Sequence, residues 1–231
     1  MDLTIVVCNH DTPDLIWNIR NSLIRYWVQP PMLVMDTGST PIPEPDGWFN
    51  TYIMNNASHG NAVNKSFELV TTKHMLLIDS DVLILDDIMK PYKIFQEGGF
   101  ALMGEVVGDR GGKSLYPRVN PWFCFMDLEQ LKEHDIKFYD HYRTKVLKSE
   151  KIYDIGSTMF EDVLNAGLTI ADAKMEGKYF KHYEGMSWRV QKYNPDNGDT
   201  DIDIGGTHDN RALYEYGLKV REQYERDVAN L

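Results

Sequence analysis

Met75-Leu76-Leu77-Ile78-Asp79-Ser80-Asp81-Val82-Leu83-Ile84-Leu85 reads as an apolar strand that runs into two aspartates and then into a second apolar run. Two carboxylates separated by one residue repel each other, and placing them at a strand exit costs folding energy unless positive charge sits between them. A divalent cation is the natural partner. Hard oxygen ligands suit Mg²⁺ or Mn²⁺, both of which keep open positions for phosphate oxygens. The bland alternative is a pair of aspartates capping the following turn.

Upstream of this stretch the pattern repeats. Leu3 to Cys8 is a β-branched run ending in Asn9-His10-Asp11-Thr12-Pro13, a buried strand followed by a turn. From Asp14 to Trp27 the apolar residues Leu15, Ile16, Ile19, Leu23 and Ile24 recur at spacings of three and four, so the segment reads as a helix with one face on a sheet. Met32 to Met35 is a second strand that exits into Asp36-Thr37-Gly38-Ser39-Thr40, Tyr52 to Met54 is a short strand, and Gly60 to Thr72 is helical. The order β, α, β, β, α, β predicts an α/β fold with a mostly parallel, Rossmann-like sheet flanked by helices, whose ligands bind beyond the carboxyl ends of the strands. Downstream, Phe100 to Val107 and Pro121 to Met126 read as strands, Leu128 to Glu133 as a short helix, and Ser157 to Ala166 as a helix burying Met159, Phe160, Val163 and Leu164. The Asn-, Asp- and Gly-rich stretch of about 193–210 reads as a mobile loop before a charged helix of about 211–229, all within a single domain of 1–231.

The chain has 231 residues and a formal charge of −11, with 42% apolar residues. That composition excludes a disordered chain, and no apolar run approaches the ~18 residues of a membrane span. The acidic N-terminus lacks the basic segment of a signal peptide, so a cytoplasmic location is expected. Cys8 and Cys124 lie in apolar runs and read as reduced, buried thiols. The acidic balance repels phosphodiester backbones and weighs against nucleic acid as a partner without excluding a local basic patch. Arg110, Lys113 and Arg118 form such a patch in the Gly-rich middle, where a solvated loop is the simpler reading, and His59 reads as a loop histidine.

Four segments, TIVVCNHDTPDLIWNIRNSL (4–23), VMDTGST (34–40), GNAVNKSFE (60–68) and MLLIDSDVLI (75–84), fall in an order and spacing that resemble nucleotide-sugar glycosyltransferases of the A-type (GT-A) fold, and most of all glycosyltransferase family 2. The resemblance covers roughly residues 3–188. It implies a single catalytic domain moving a sugar from a nucleoside diphosphate donor, UDP most of all, to a hydroxyl acceptor such as a glycan, with Mn²⁺ or Mg²⁺ on the diphosphate. By this resemblance Asn9 and Thr12 line the nucleotide pocket, Asp36 contacts uracil or ribose, and Gly60 and Asn64 open a helix against the donor, beside Asp79 and Ser80. Asp79 and Asp81 hold the metal with a histidine, either His182 or His208. An inverting transfer needs a carboxylate base. Asp162, with Glu161 beside it, matches one family position, although its spacing to Gly167 is short, and Asp154 matches another. Trp122 and Trp188 are candidates to stack on acceptor sugar faces, with core filling as the alternative. Competing functions on the same fold are nucleotidyl transfer, a non-catalytic nucleotide- or sugar-binding protein, and glycosylation of nucleic-acid bases. The first of these needs a Gly- and Arg-rich loop after the first strand, and CNHDTPD (8–14) has no glycine, arginine or lysine.

Overall fold

The computed structural model describes residues 2–26, 30–38, 40, 42, 47–55, 57–108, 116–138, 153, 155–184, 186 and 210–231. In chain order the elements are β1 (Leu3–Asn9), α1 (Pro13–Arg25), β2 (Met32–Asp36), β3 (Phe49–Ile53), α2 (His59–Leu69), β4 (His74–Asp79), β5 (Val82–Ile84) and α3 (Met89–Gly98). They continue with β6 (Leu102–Gly104), β7 (Val106–Val107), β8 (Arg118–Val119), β9 (Phe123–Asp127), α4 (Leu128–Glu133), α5 (Ser157–Asn165), β10 (Ile170–Asp172), β11 (Phe180–His182) and α6 (Asn210–Ala229). Seven strands form one sheet in the order β10-β6-β9-β4-β1-β2-β3. β1 pairs in parallel with both β2 and β4, whereas β9 runs antiparallel between β4 and β6. Two short pairs, β5 with β11 and β7 with β8, stand apart from it. No helix among the described residues is long and apolar enough to cross a membrane.

Alternation along the strands splits the core into two layers. Leu3, Ile5, Val7, Leu76 and Ile78 face one side with Ile16, Ile19 and Leu23 of α1, while Val6, Met75 and Leu77 face the other with Ala62, Val63 and Phe67 of α2. Strands buried on both faces are what a doubly covered parallel sheet requires. Pro13 opens α1, where its missing N–H removes nothing, with Asp14 in the first turn and Arg25 in the last.

Several sequence boundaries shift. The strand expected at Tyr52–Met54 is Phe49–Ile53, because β2 extends its parallel register back to Phe49 opposite Met32. It is the sheet edge, and Ile53 is 65% exposed. The expected run Phe100–Val107 divides between the main sheet (β6) and the separate β7–β8 pair. Leu164, expected in the core, is half exposed. One residue beyond Val163 is a rotation of about 100° around the helix, which takes it off the buried stripe. Helix α3 was not legible, since only Tyr92 and Phe95 mark its buried face beyond Pro91; Gly99, at φ +62°, ends it in a left-handed conformation suited to glycine. Cys124 is a buried free thiol, whereas Cys8 is only half-buried.

The start of β4 carries a buried polar group with a consequence for stability. His74 bonds Tyr92 Oη through Nδ1 at 2.9 Å, and its Nε2 lies 3.7 Å from Asp127 Oδ2. Burial holds the imidazole pKa below its ordinary value despite the attraction of Asp127 and Asp2, with Lys73 adding to the depression. The folded state therefore binds this proton less readily than the unfolded chain, which titrates near ~6.5. Stability from this site is complete above that pH and is lost as pH falls toward the lower folded value. We expect the unfolding free energy, measured in urea at pH 7.5 and pH 5.5, to drop less in a His74→Gln variant than in the wild type. An equal drop in both would remove His74 as a source of acid sensitivity.

Candidate metal and nucleotide site

The exits of β1, β2 and β4 lie side by side because the three strands are parallel neighbours, with Asn9 opposite Asp36 and Cys8 opposite Asp79. A buried polar string joins them. Asn9 Nδ2 donates to Asp36 Oδ1 at 3.0 Å, Thr12 Oγ1 donates to Asn9 Oδ1 at 2.7 Å, and the Thr12 hydroxyl lies 3.1 Å from Ser80 Oγ. The two outer loops are pinned together as well. Asp11, in a left-handed conformation at φ 56°, accepts the Thr40 N–H through Oδ1, and a Cβ on Gly38 would meet the Asp11 nitrogen at 2.4 Å. Gly38 is therefore required by close approach of the first two strand exits.

Asp79 ends β4, and its N–H donates to the Trp122 carbonyl at 3.2 Å. After the turn at Ser80 and Asp81, β5 pairs antiparallel with β11 so that His182 lies opposite Val82, one residue past Asp81. The Tyr183 N–H then closes onto the Asp81 carbonyl at 3.0 Å. Ligand atoms of Asp79, Asp81 and His182 consequently lie within 4.8 Å of one another, with His182 Nε2 3.3 Å from Asp81 Oδ1. Trp122 backs the imidazole, ring on ring, at 4.5 Å between centroids and 14° between planes.

Negative charge is concentrated within this trio. Burial raises the Asp79 carboxyl pKa, Asp81 raises it further, and the positive charges available at His59, His182 and Arg118 pull the other way. Asp79 Oδ1 is buried without a hydrogen-bond partner. For His182, burial disfavours the charged ring, yet the hydrogen bond to Asp81 and the fields of Asp81, Asp79 and Glu176 together leave its pKa raised. Two buried carboxylates that attract a proton onto the neighbouring imidazole offer the same negative field to a divalent ion, and an O,O,N set fits Mn²⁺ or Mg²⁺.

The remaining predicted residues fall differently. Gly60 is buried in the first turn of α2. Asn64 has its amide committed to the chain, donating to the Phe138 carbonyl at 2.6 Å and accepting the Phe138 N–H at 2.8 Å. Glu161 and Asp162 are half-buried on α5, and Glu161 is hydrogen-bonded to Tyr153, whose phenol is pushed up to about 12 by burial and then by that carboxylate. Asp154, Trp188 and His208, together with Arg110, Lys113 and the proposed loop up to residue 209, lie outside the described residues.

Two residues gain a place near the site that their sequence context did not suggest. Arg118, read as part of a solvated loop, is buried, donates to the Ile155 carbonyl at 3.2 Å at the foot of α5, and acts electrostatically on Asp79. His59, read as a loop histidine, is the first residue of α2 and also acts on Asp79. The signal for Arg118 was its position before the apolar Val119 rather than its charge.

Comparisons with protein-family models and with curated protein sequences find no match. Solved structures do match. The Staphylococcus aureus protein TarS (residues 1–349) superposes with a TM-score of 0.55 at 17% identity, covering 98% of this chain and 73% of that one. It has also been solved with UDP and with UDP-GlcNAc. The Pyrobaculum calidifontis mannosyltransferase PcManGT, solved with GDP-Man and Mn²⁺, gives 0.54 at 12% identity over 99% of this chain and 75% of its own. The galactosyltransferase LgtC, solved with donor and acceptor sugar analogues, gives 0.51 at 13% identity over 94% and 95%. By this likeness of fold, and with the mostly parallel sheet and its ordered strand exits, the chain has the A-type glycosyltransferase architecture.

Proposed function

We propose that this protein is a metal-dependent glycosyltransferase that moves a sugar from a nucleoside diphosphate donor, preferentially a UDP-sugar, to an acceptor hydroxyl with inversion at the anomeric carbon. The observation that carries the reading is the convergence of Asp79, Asp81 and His182 at the C-terminal end of β4, where a buried carboxylate oxygen of Asp79 lacks a partner. PcManGT, which shares the fold, was solved with a nucleotide sugar and Mn²⁺. Asp79, Asp81 and His182 would hold Mn²⁺ or Mg²⁺, which would supply positive charge to the leaving diphosphate.

The chain's own residues perform the rest. The Asp36–Asn9–Thr12–Ser80 string presents a preformed polar floor for the nucleoside. Asp162 takes the proton of the acceptor hydroxyl as that oxygen bonds the anomeric carbon and the bond to the diphosphate breaks. Trp122 serves as a wall of the cation site through its stack on His182.

A thermal-shift screen of UDP, GDP, CDP and their sugars, each with Mn²⁺ and with EDTA, tests the reading. A ligand present at a hundredfold excess over its Kd adds ~2.7 kcal/mol to stability. We expect UDP to raise Tm in Mn²⁺ only. A flat response to every nucleotide in Mn²⁺ would overturn the assignment.

A further inference from the structure

Side chains alternate along β11, so Lys181 and Tyr183 point away from the face that carries His182. Both are held by one carboxylate on α6. Asp227 Oδ2 accepts from Lys181 Nζ at 2.7 Å and from the Tyr183 hydroxyl at 2.5 Å, and Gln223 Nε2 secures its other oxygen at 2.7 Å. One turn earlier the buried Tyr224 packs edge-on against Tyr183 at 5.0 Å. An ion pair between Arg221 and Asp14 fixes the same helix to α1. By contrast, the ladder holding His182 in place is only three residues long and pairs with three residues of β5. A two-stranded ribbon of that length has little stability of its own.

We infer that Asp227 is a positioning residue for the cation site: it anchors β11 so that His182 meets Asp81, and thereby couples docking of the C-terminal helix to cation binding. The inference rests on the cation reading above. Tyr183 is the mechanical link, since its hydroxyl is on Asp227 while its N–H is on the Asp81 carbonyl. Because coupling between two sites is reciprocal, a bound cation must also tighten α6. Groups that orient a metal ligand from behind cost 10–100-fold in metal affinity when removed, and the lower end suits one acting through the strand.

The test uses the full chain and Mn²⁺ alone, with free Mn²⁺ read by electron paramagnetic resonance and α6 protection read by hydrogen exchange. Asp227→Asn is expected to raise the Mn²⁺ Kd about tenfold and to abolish the slowing of exchange that Mn²⁺ produces in residues 218–228 of the wild type. Tyr183→Phe keeps the ring packing, folds even if Asp227→Asn does not, and is expected to show a smaller change in the same direction. Leu131→Val, a core change on α4 in the other core layer, is expected to leave the Kd unchanged. Wild-type Mn²⁺ affinity in both Asp227→Asn and Tyr183→Phe overturns the coupling while leaving the cation site standing. Equal weakening in Leu131→Val reduces Asp227 to a general structural role and overturns it too. No Mn²⁺ binding by the wild type removes the cation reading and the inference with it.

Discussion

Asp81→Ala is expected to lower kcat/KM at least ~10³-fold with any productive sugar donor, and to abolish the Mn²⁺-dependent part of nucleotide binding. The magnitude follows from the charge at stake. Stabilisation of a leaving diphosphate by a metal is a matter of several kcal/mol, and each 1.36 kcal/mol is about tenfold in rate. Asp81 is 3% exposed and supplies the carboxylate nearest His182, so its loss leaves one carboxylate and one imidazole where three ligands met. Asp81→Asn separates charge from packing: it keeps the side-chain volume and should be as inactive as the alanine variant. Comparing melting temperatures with and without Mn²⁺ gives a second readout that needs no acceptor. Wild-type turnover in Asp81→Ala would remove the cation from the mechanism.

Phe125→Ala should lose about 3–5 kcal/mol of unfolding free energy, a large share of the ~5–15 kcal/mol that domains have in total. Phe125 is fully buried in β9, the strand through which the parallel half of the sheet meets β6. Its ring stacks on Phe95 at 5.6 Å and on Tyr92 at 6.0 Å, and meets Phe123 edge-on at 5.7 Å. Removing it leaves a cavity walled by large rings, Tyr92 and Phe95 on α3 and Phe123 on β9 itself, which closes only if α3 shifts as a body. Phe125→Leu fills much of the space and should cost less. Urea unfolding with unchanged m-values checks both; a loss below about 1 kcal/mol in the alanine variant would show that β9 and α3 close over the gap.

How far the sequence reveals this molecule depends on the reach of each interaction. Short-range patterns were enough for β1, α1, β2 and β4, because strands covered on both faces leave uninterrupted apolar runs and α1 leaves a regular stripe. They were not enough for α3, where two buried aromatics sit among Lys90, Lys93, Gln96 and Glu97. The aspartates of the candidate site were visible because both stand at one strand exit. His182 was visible only by resemblance, since its place beside Asp81 depends on an antiparallel pairing between segments about a hundred residues apart. Arg118 illustrates the opposite error: a cation in a glycine-rich neighbourhood looks solvated until the β7–β8 pairing buries it. Asn64 shows that a polar residue at a helix start can be consumed by a distant backbone, here that of Phe138.

The ion pair between α6 and α1 also bears on the order in which the chain folds. Arg221 and Asp14 are separated by 207 residues, a very long loop to close. Closure entropy grows only slowly with loop length, but contacts of such separation form late and raise contact order. A growing polypeptide therefore carries β1 to β4, with Asp79 and Asp81 at the end of β4, well before the ribosome has made the helix that anchors His182. During that interval the two aspartates at the end of β4 wait for the imidazole that meets them, and α6 then zips onto α1.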